Sequence, residues 1–155
     1  FPETTPEPEP GLRAPGEGED IVADYRHLGL TLGRHPLALL RPQLKALRLA
    51  PTRTGRARDH GRRLRTAGIV VTRQRPSTAG GVTFLTLEDE TGTVNVIVWP
   101  KVAEAQQRAL LGARLLGVEG EVQRGDGGVI HLVARRLTDY SGLLGELPTR
   151  SRDFH

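Results

Sequence analysis

The chain has 155 residues, a formal net charge of +4 and no cysteine, which excludes disulfides, thiolate metal sites and a cysteine nucleophile. No apolar run approaches the ~20 residues of a membrane span and no signal peptide opens the chain, so we expect a cytoplasmic protein without a membrane partner. The chain contains no methionine and starts at Phe1, so we expect it to be part of a longer protein.

The basic residues are concentrated in one central block. Residues 26–80 hold thirteen bases and one acid, whereas residues 1–25 hold one base and seven acids, and residues 81–155 hold eight bases and ten acids. A basic block beside a β domain indicates a polyanionic partner. The alternative is a solvated arginine-rich surface, because twenty of the 22 basic residues are arginine.

Two segments precede the predicted β domain. Residues 1–20 are rich in proline, glutamate and glycine and predict a flexible, disordered acidic linker. Residues 21–64 predict a basic connector that is helical or irregular. In the connector, Pro36 suits the first position of a helix and Pro42 divides the helical pattern into two short pieces. The helical spacing is carried by Leu37, Leu40, Leu44 and Leu47.

From Arg65 onward the sequence pattern is typical of β-strands. Period-two alternation and turn residues predict five strands, at Thr66–Arg75, Val82–Glu88, Thr93–Trp99, Ala113–Gln123 and Val129–Leu137. A helical segment begins at Pro100, between the third and fourth strands. Five strands with a helix in that place are the plan of the OB-fold. The sequence therefore predicts a mainly β protein, with a five-stranded OB-fold barrel at residues 65–140 and a tail at residues 141–155.

The alternation also assigns the two faces of each strand. The residues predicted to point inward are Ala67, Ile69 and Val71 in the first strand and Leu85, Leu87, Val94, Val96 and Val98 in the hairpin of the second and third. Glycines within strands suit the sharp bends of a small barrel, at Gly68, Gly117 and Gly120. The hairpin turn Asp89–Gly92 begins with an Asx-type residue and ends with glycine.

No catalytic or metal site is predicted in this chain. Two-metal chemistry needs carboxylates that hold ions about 3.5–4 Å apart, and the candidates are Glu88, Asp89 and Glu90. Consecutive residues leaving a strand point in different directions, and a turn role explains Asp89. The five histidines show no metal-ligand spacing. The expected chemistry is therefore binding, without a cofactor.

Single-strand binding combines a cationic groove with aromatic platforms. Phe84 and Trp99 fall on the outward register of the second and third strands, together with Asn95. Arginines flank the adjoining loops or precede the first strand, at Arg65, Arg73, Arg75 and Arg124. The alternative is that Phe84 and Trp99 are buried beneath the connector or a partner domain. For Trp99 burial is favoured, because Pro100 follows and the helix must pack nearby.

Four stretches of residues 19–155 resemble the C-terminal part of bacterial C-family DNA polymerases, in particular the error-prone branch. They are EDIVADYRHLGLTLGRHPLALLRPQL, AGIVVTRQRPSTAGGVTFLTLEDETGTVNVIVWPKV, GVIHLVARRL and RSRDFH. The resemblance implies an OB domain that handles single-stranded template, with the catalytic aspartates and magnesium of the parent enzyme upstream. It also implies DNA-damage-tolerant (translesion) synthesis and accessory protein partners.

Two alternatives stand beside the single-strand-binding hypothesis. The domain is a protein-interaction module in the first, docking polymerase accessory factors through Leu143 and Leu144 or through the terminal RSRDFH. In the second it binds tRNA, because GVTFLTLEDETG also resembles the anticodon-binding OB domain of class II aminoacyl-tRNA synthetases. In that family, an aromatic side chain at the place of Phe84 stacks on a base.

Overall fold

The structure is a computed structural model that describes residues 35–147. The predicted linker, residues 21–34 of the connector and the terminal RSRDFH lie outside the described residues. The helices are α1 Pro36–Leu39, α2 Arg41–Ala46, α3 Thr54–Ala57, α4 Pro100–Ala105 and α5 Gln107–Gly112. The strands are β1 Arg63–Gln74, β2 Thr83–Asp89, β3 Gly92–Val98, β4 Leu115–Arg124 and β5 Ile130–Asp139. Single 3-10 segments occur at Ser77–Ala79, Asp126–Gly128 and Ser141–Glu146.

Within the described range, the five strands close into a barrel with the order β1-β2-β3-β5-β4. All neighbouring strands are antiparallel except β3 and β5, which run parallel. This arrangement confirms the predicted mainly β fold, a five-stranded OB barrel with helical structure between the third and fourth strands. None of the helices in this part of the chain is long and apolar enough to cross a membrane.

The helical structure after Pro100 is two helices, not one. Gln106 separates α4 from α5 with a non-helical backbone (φ −125°, ψ 36°). Its side chain bonds the backbone of β5 instead: the amide nitrogen donates to Arg135 O (3.1 Å) and the amide oxygen accepts from Leu137 N (2.6 Å). The break therefore ties the helical segment to the barrel wall.

The barrel interior contains the apolar side chains that alternation predicted for the hairpin. Leu85, Leu87 and the three alternating valines of β3 are all at most 7% exposed. The rest of this core comes mainly from β1, β4, β5 and the helical segment: Leu64, Val70, Ala103, Leu110, Ala113, Leu116, Val118, Val122, Leu132, Ala134 and Leu137. The inward assignment of the hairpin is confirmed.

A second core lies on the outside of the barrel, under the connector. Ala67 and Ile69 are each 1% exposed, but they belong to this outer core, so their assignment to the barrel interior was wrong. In β1 the interior is filled by Leu64 and Val70. Because the connector covers the other side of β1, both faces of the strand are apolar. The outer core also contains Leu37, Leu40, Leu44, Leu49, Leu115, Leu144 and Leu147, with Val71 packed against it.

The connector begins as two short helices, as the prolines predicted. Pro36 starts α1, and the preceding His35 caps it by accepting from Leu37 N through Nδ1 (3.1 Å). Pro42 lies in the first turn of α2, where its missing N–H has no partner to lose. The leucines of α1 and α2 enter the outer core, whereas Leu47 remains 38% exposed. Burial of Leu144 in the same core removes it from the surface where an accessory protein would dock.

Two strand glycines are required by close approach of neighbouring strands. A Cβ on Gly68 would lie 2.9 Å from the Leu87 side chain and the Glu88 nitrogen of β2. A Cβ on Gly120 would overlap the Val133 carbonyl, at the irregularity where the β4–β5 register shifts. The sequence correctly marked both positions as special, and the physical reason is the tight wall of a small barrel.

Candidate nucleic-acid interface

The outer sides of β2, β3 and β5 form one continuous surface, here called the outward face. Strand pairing sets it in two rows, because Phe84 lies opposite Ile97 and Ile97 beside Val133, while Thr86 lies opposite Asn95 and Asn95 beside His131. Trp99, directly after β3, extends the face at the end nearer Phe84. The connector leucines between Leu37 and Leu49 pack against β1 and the start of β4, and the outward face carries exposed side chains.

Phe84 and Trp99 are both accessible, at 36% and 53% exposure. The burial favoured for Trp99 is therefore wrong. Trp99 has an extended backbone (φ −70°, ψ 156°) and its carbonyl accepts from Ala103 N (2.9 Å) at the start of α4. The helix packs through Ala103, which is buried, while the indole stays outside. Two exposed aromatic rings on one face provide surfaces on which bases can stack.

The end of the outward face away from Phe84 and Trp99 is polar. Asn95 is exposed, and the Thr86 hydroxyl donates to its side-chain oxygen (3.3 Å). This contact leaves the amide nitrogen of Asn95 with two donor hydrogens. Half-buried His131 is its neighbour on β5. Hydrogen-bonding groups beside aromatic platforms are suited to the edges of unstacked bases.

Arg75 lies at the aromatic end of the outward face. A Cβ built on Gly81 would lie 3.7 Å from the Arg75 Nη2 atom and 3.4 Å from the ring of Pro100. The guanidinium therefore reaches across the β1–β2 loop toward the residue that follows Trp99. Among the described residues, no carboxylate lies within 4.0 Å of it. Its charge is available to a phosphate group.

Arg73 has a structural role that the sequence did not reveal. Its Nε donates to Leu110 O (2.8 Å) and its Nη2 to Ala113 O (2.9 Å). These bonds satisfy carbonyls at the end of α5 and fix that helix to β1. Desolvation of the guanidinium lowers the pKa of Arg73, although the residue as a whole is exposed. Two of the three guanidinium nitrogens of Arg73 therefore have a structural role, and its assignment to phosphate binding stays a prediction.

Arg65 and Arg124 are also engaged within the protein. Arg65 lies on the β1–β4 side of the barrel, where it pairs with Glu119 (3.6 Å) and donates to Leu47 O (3.1 Å). This position is away from the outward face. The Arg124 Nη1 atom donates to the carbonyls of Arg56 and Arg58, each at 3.0 Å, and so fastens α3 to the β4–β5 turn.

Hydrogen bonds to the Asp89 carboxylate hold the acidic turn Asp89–Gly92 in place. Both carboxylate oxygens of Asp89, which is 3% exposed, are occupied. One accepts from Thr52 N (2.8 Å) and Arg41 Nη2 (3.1 Å). The other accepts from the Thr52 hydroxyl (2.8 Å) and from the nitrogen and hydroxyl of Thr91 (2.8 and 2.7 Å). A carboxylate so fully used is not free to hold a metal ion.

Electrostatics at the turn follow from this geometry. Burial by itself would raise the pKa of Asp89, but the hydrogen bonds donated by Thr52 and Thr91 outweigh it and hold that pKa below its usual value. Arg41 binds Glu90 with two parallel bonds, of 2.7 and 2.6 Å. The bond to Glu90 is also the largest cause of the raised pKa of Arg41, with desolvation acting the other way.

Sequence reasoning missed Arg41 and Thr52 as structural partners of the turn. They lie 48 and 37 residues from Asp89, so no local pattern announces the contact. The turn chemistry itself was readable, because the Asp89 side chain accepts from Thr91 N as an Asx turn does.

The type of domain is recognised among known proteins. Residues 64–140 match the model of the OB-fold nucleic acid binding domain, in agreement with the OB barrel of the structure. Over most of its length the chain is similar to proteins named error-prone DNA polymerase. It is 63% identical over 146 residues to that of Alkalilimnicola ehrlichii, and 57% identical over 143 residues to that of Pseudomonas fluorescens. These matches cover 94% and 92% of this chain and 14% of each relative.

The chain thus spans about one seventh of the length of these relatives, and the resemblance to the error-prone polymerases is confirmed. Among solved structures, it is similar to asparaginyl-tRNA synthetase from Pyrococcus horikoshii, with 29% identity and a TM-score of 0.45. That match covers 52% of this chain and 20% of the synthetase.

Proposed function

We propose that this chain is the template-handling OB domain of an error-prone DNA polymerase and that its outward face binds single-stranded DNA. The observation that carries the proposal is a pair of exposed aromatics, Phe84 on β2 and Trp99 directly after β3, on an OB barrel whose interior is already filled. Bases stack on the rings, the amide of Asn95 meets base edges, and Arg75 neutralises a phosphate.

The activity proposed for the whole protein is DNA-directed DNA synthesis tolerant of template damage, in the cytoplasm. Relatives named as error-prone polymerases support it. The nucleotidyl transfer and its magnesium ions belong to the parent polymerase beyond this chain. The acidic turn does not fit a metal, because threonines and Arg41 occupy the Asp89 oxygens. The translesion role is tested by primer extension across an abasic site with a polymerase that contains this chain.

The binding proposal is tested by fluorescence anisotropy with labelled oligo-dT. We expect the 155-residue chain to bind it with an affinity that falls steeply with salt, by a slope of about 0.7 in log K per phosphate contact. Competition with unlabelled duplex DNA and tRNA identifies the preferred nucleic acid. Stronger competition by tRNA would favour anticodon-type binding, and an absence of binding at low salt would contradict both.

The protein-interaction alternative now rests on the terminal residues, because Leu144 is buried in the outer core. A pull-down of accessory proteins with and without residues 148–155 addresses it. Loss of recovery on truncation supports docking through the tail, and unchanged recovery argues against it.

A further inference from the structure

A cluster of arginines lies beside the outward face. The basic cluster consists of Arg53, Arg56, Arg58, Arg62 and Arg124. None of their guanidinium groups has a carboxylate within 4.0 Å among the described residues. Two exposed acids, Asp59 and Asp126, lie in the same region, so five positive charges stand against two negative ones.

Backbone contacts hold the cluster in place. Arg53 N donates to the Thr91 hydroxyl (3.2 Å), and Arg124 N donates to the Nδ1 atom of His60 (3.0 Å). Gly61 N donates to Val122 O (2.7 Å), and Val122 N donates to Arg62 O (2.8 Å). With the bonds from Arg124 Nη1 to the Arg56 and Arg58 carbonyls, these contacts fix the segment against the barrel while its side chains stay outside.

The cluster adjoins the polar end of the outward face. A Cβ on Gly92, the first residue of β3, would lie 3.6 Å from the Arg56 Nη2 atom. Asn95 lies three residues further along β3 and beside His131. Arg124 is paired with Ile130, the residue before His131. The basic cluster is therefore continuous with the Asn95–His131 row, at the end opposite Phe84 and Trp99.

The nearby acidic turn does not cancel this charge. The carboxylates of Asp89 and Glu90 are already paired with Arg41, which lies on a different connector helix. A set of uncompensated arginines held on a rigid surface is suited to a phosphodiester backbone, because the guanidinium group binds phosphate oxygens in a planar, bidentate manner.

We propose that the basic cluster is a second binding segment for single-stranded DNA, which continues the strand from the outward face onto the connector. This inference rests on the proposed function of the outward face. It makes the connector part of the binding site and predicts an occluded length greater than the outward face alone provides. Contacts at the cluster are to phosphates, so they carry no base preference.

The test compares two oligonucleotides and two matched double variants of the 155-residue chain. Arg53→Gln/Arg56→Gln removes two charges from the basic cluster, and Arg108→Gln/Arg114→Gln removes two exposed, unpaired charges near α5, at the other end of the barrel. Labelled dT6 and dT24 are titrated from 50 to 200 mM salt, and thermal unfolding verifies that both variants are folded. The backbone bonds of Arg53 and Arg56 are unaffected by either change.

For the cluster variant we expect about tenfold weaker binding of dT24 at 50 mM salt and a salt slope smaller by about 1.4, which is two phosphate contacts at about 0.7 each. Binding of dT6 and the behaviour of the control variant stay within twofold of wild type. An equal loss of dT24 affinity in the two variants, or no loss in either, would overturn the proposal that the basic cluster binds DNA. The proposal for the outward face would be unaffected. Absence of binding by the unmodified chain would overturn the proposed function and the cluster together.

Discussion

The two ends of the β2–β3 hairpin differ in how far their side chains are used by the fold. The acidic turn is the most highly charged part of the hairpin, yet Asp89 is 3% exposed and its oxygens are filled by donors from the connector. The far end carries Phe84 and Trp99, which the fold leaves exposed. The difference shows that the charged residues of this hairpin attach the connector to the barrel. Groups offered to a ligand are those that folding leaves without a structural task.

The largest expected effect is on stability, from Asp89→Asn. The variant leaves Arg41 and the four donor groups of Thr52 and Thr91 against an amide. Removing one partner of a buried, hydrogen-bonded charge pair costs about 3 kcal/mol or more. Urea unfolding followed by circular dichroism measures the free energy. The matched control, Asp126→Asn, changes an exposed turn residue and should shift it by less than about 0.5 kcal/mol. Equal stability of the two variants would break the contrast between turn and face.

Acid should reduce the contribution of Asp89 to the free energy of unfolding. The pKa of Asp89 is lower in the folded chain than the unfolded value of about 3.9, so its contribution is complete above that value and is lost as pH falls through the folded pKa. The difference in unfolding free energy between wild type and Asp89→Asn should therefore shrink as the pH falls below about 4. Urea titrations at several pH values measure it, and a difference that grows in acid would contradict a lowered pKa for Asp89.

Phe84→Ala tests the exposed aromatic end of the hairpin. Loss of one base stack should weaken binding of single-stranded DNA by about 1–3 kcal/mol. Leu111→Ala is the control, because Leu111 is an exposed apolar residue (55%) on α5 and not on the outward face. Anisotropy titrations should show unchanged affinity for the control. A Phe84 variant that unfolds as readily as Asp89→Asn would assign the ring to the core instead.

The smallest expected effect is from Asn95→Ala. Its one side-chain hydrogen bond in the described structure, accepted from the Thr86 hydroxyl, is long and exposed, so the free energy of unfolding should hardly change. Binding of oligonucleotides should weaken by about 0.5–1.5 kcal/mol, the net value of one hydrogen bond. Gln107→Ala, an exposed polar residue on α5 and not on the outward face, is the control. Identical affinities for both variants would remove base-edge contacts from the interface.

The sequence predicted the strands, their order and the hairpin core because these depend on local alternation and turn residues. It did not predict the outer core, since Ala67 and Ile69 alternate in the same way whichever side is covered. Nor did it predict the bond from Thr52 to Asp89, whose partners are 37 residues apart. Arg73 and Trp99 show the same limit, because their environments depend on how the helical segment is seated.

Trp99 gives the most direct test of the outward face, because it is the single tryptophan of the chain. Its intrinsic fluorescence is followed while oligo-dT is added, with a labelled oligonucleotide reporting binding in parallel. We expect saturable quenching whose midpoint matches the binding curve and shifts to higher concentration in Phe84→Ala. Binding of the labelled oligonucleotide with no change in Trp99 fluorescence and no effect of Phe84→Ala would contradict the claim and locate the ligand elsewhere.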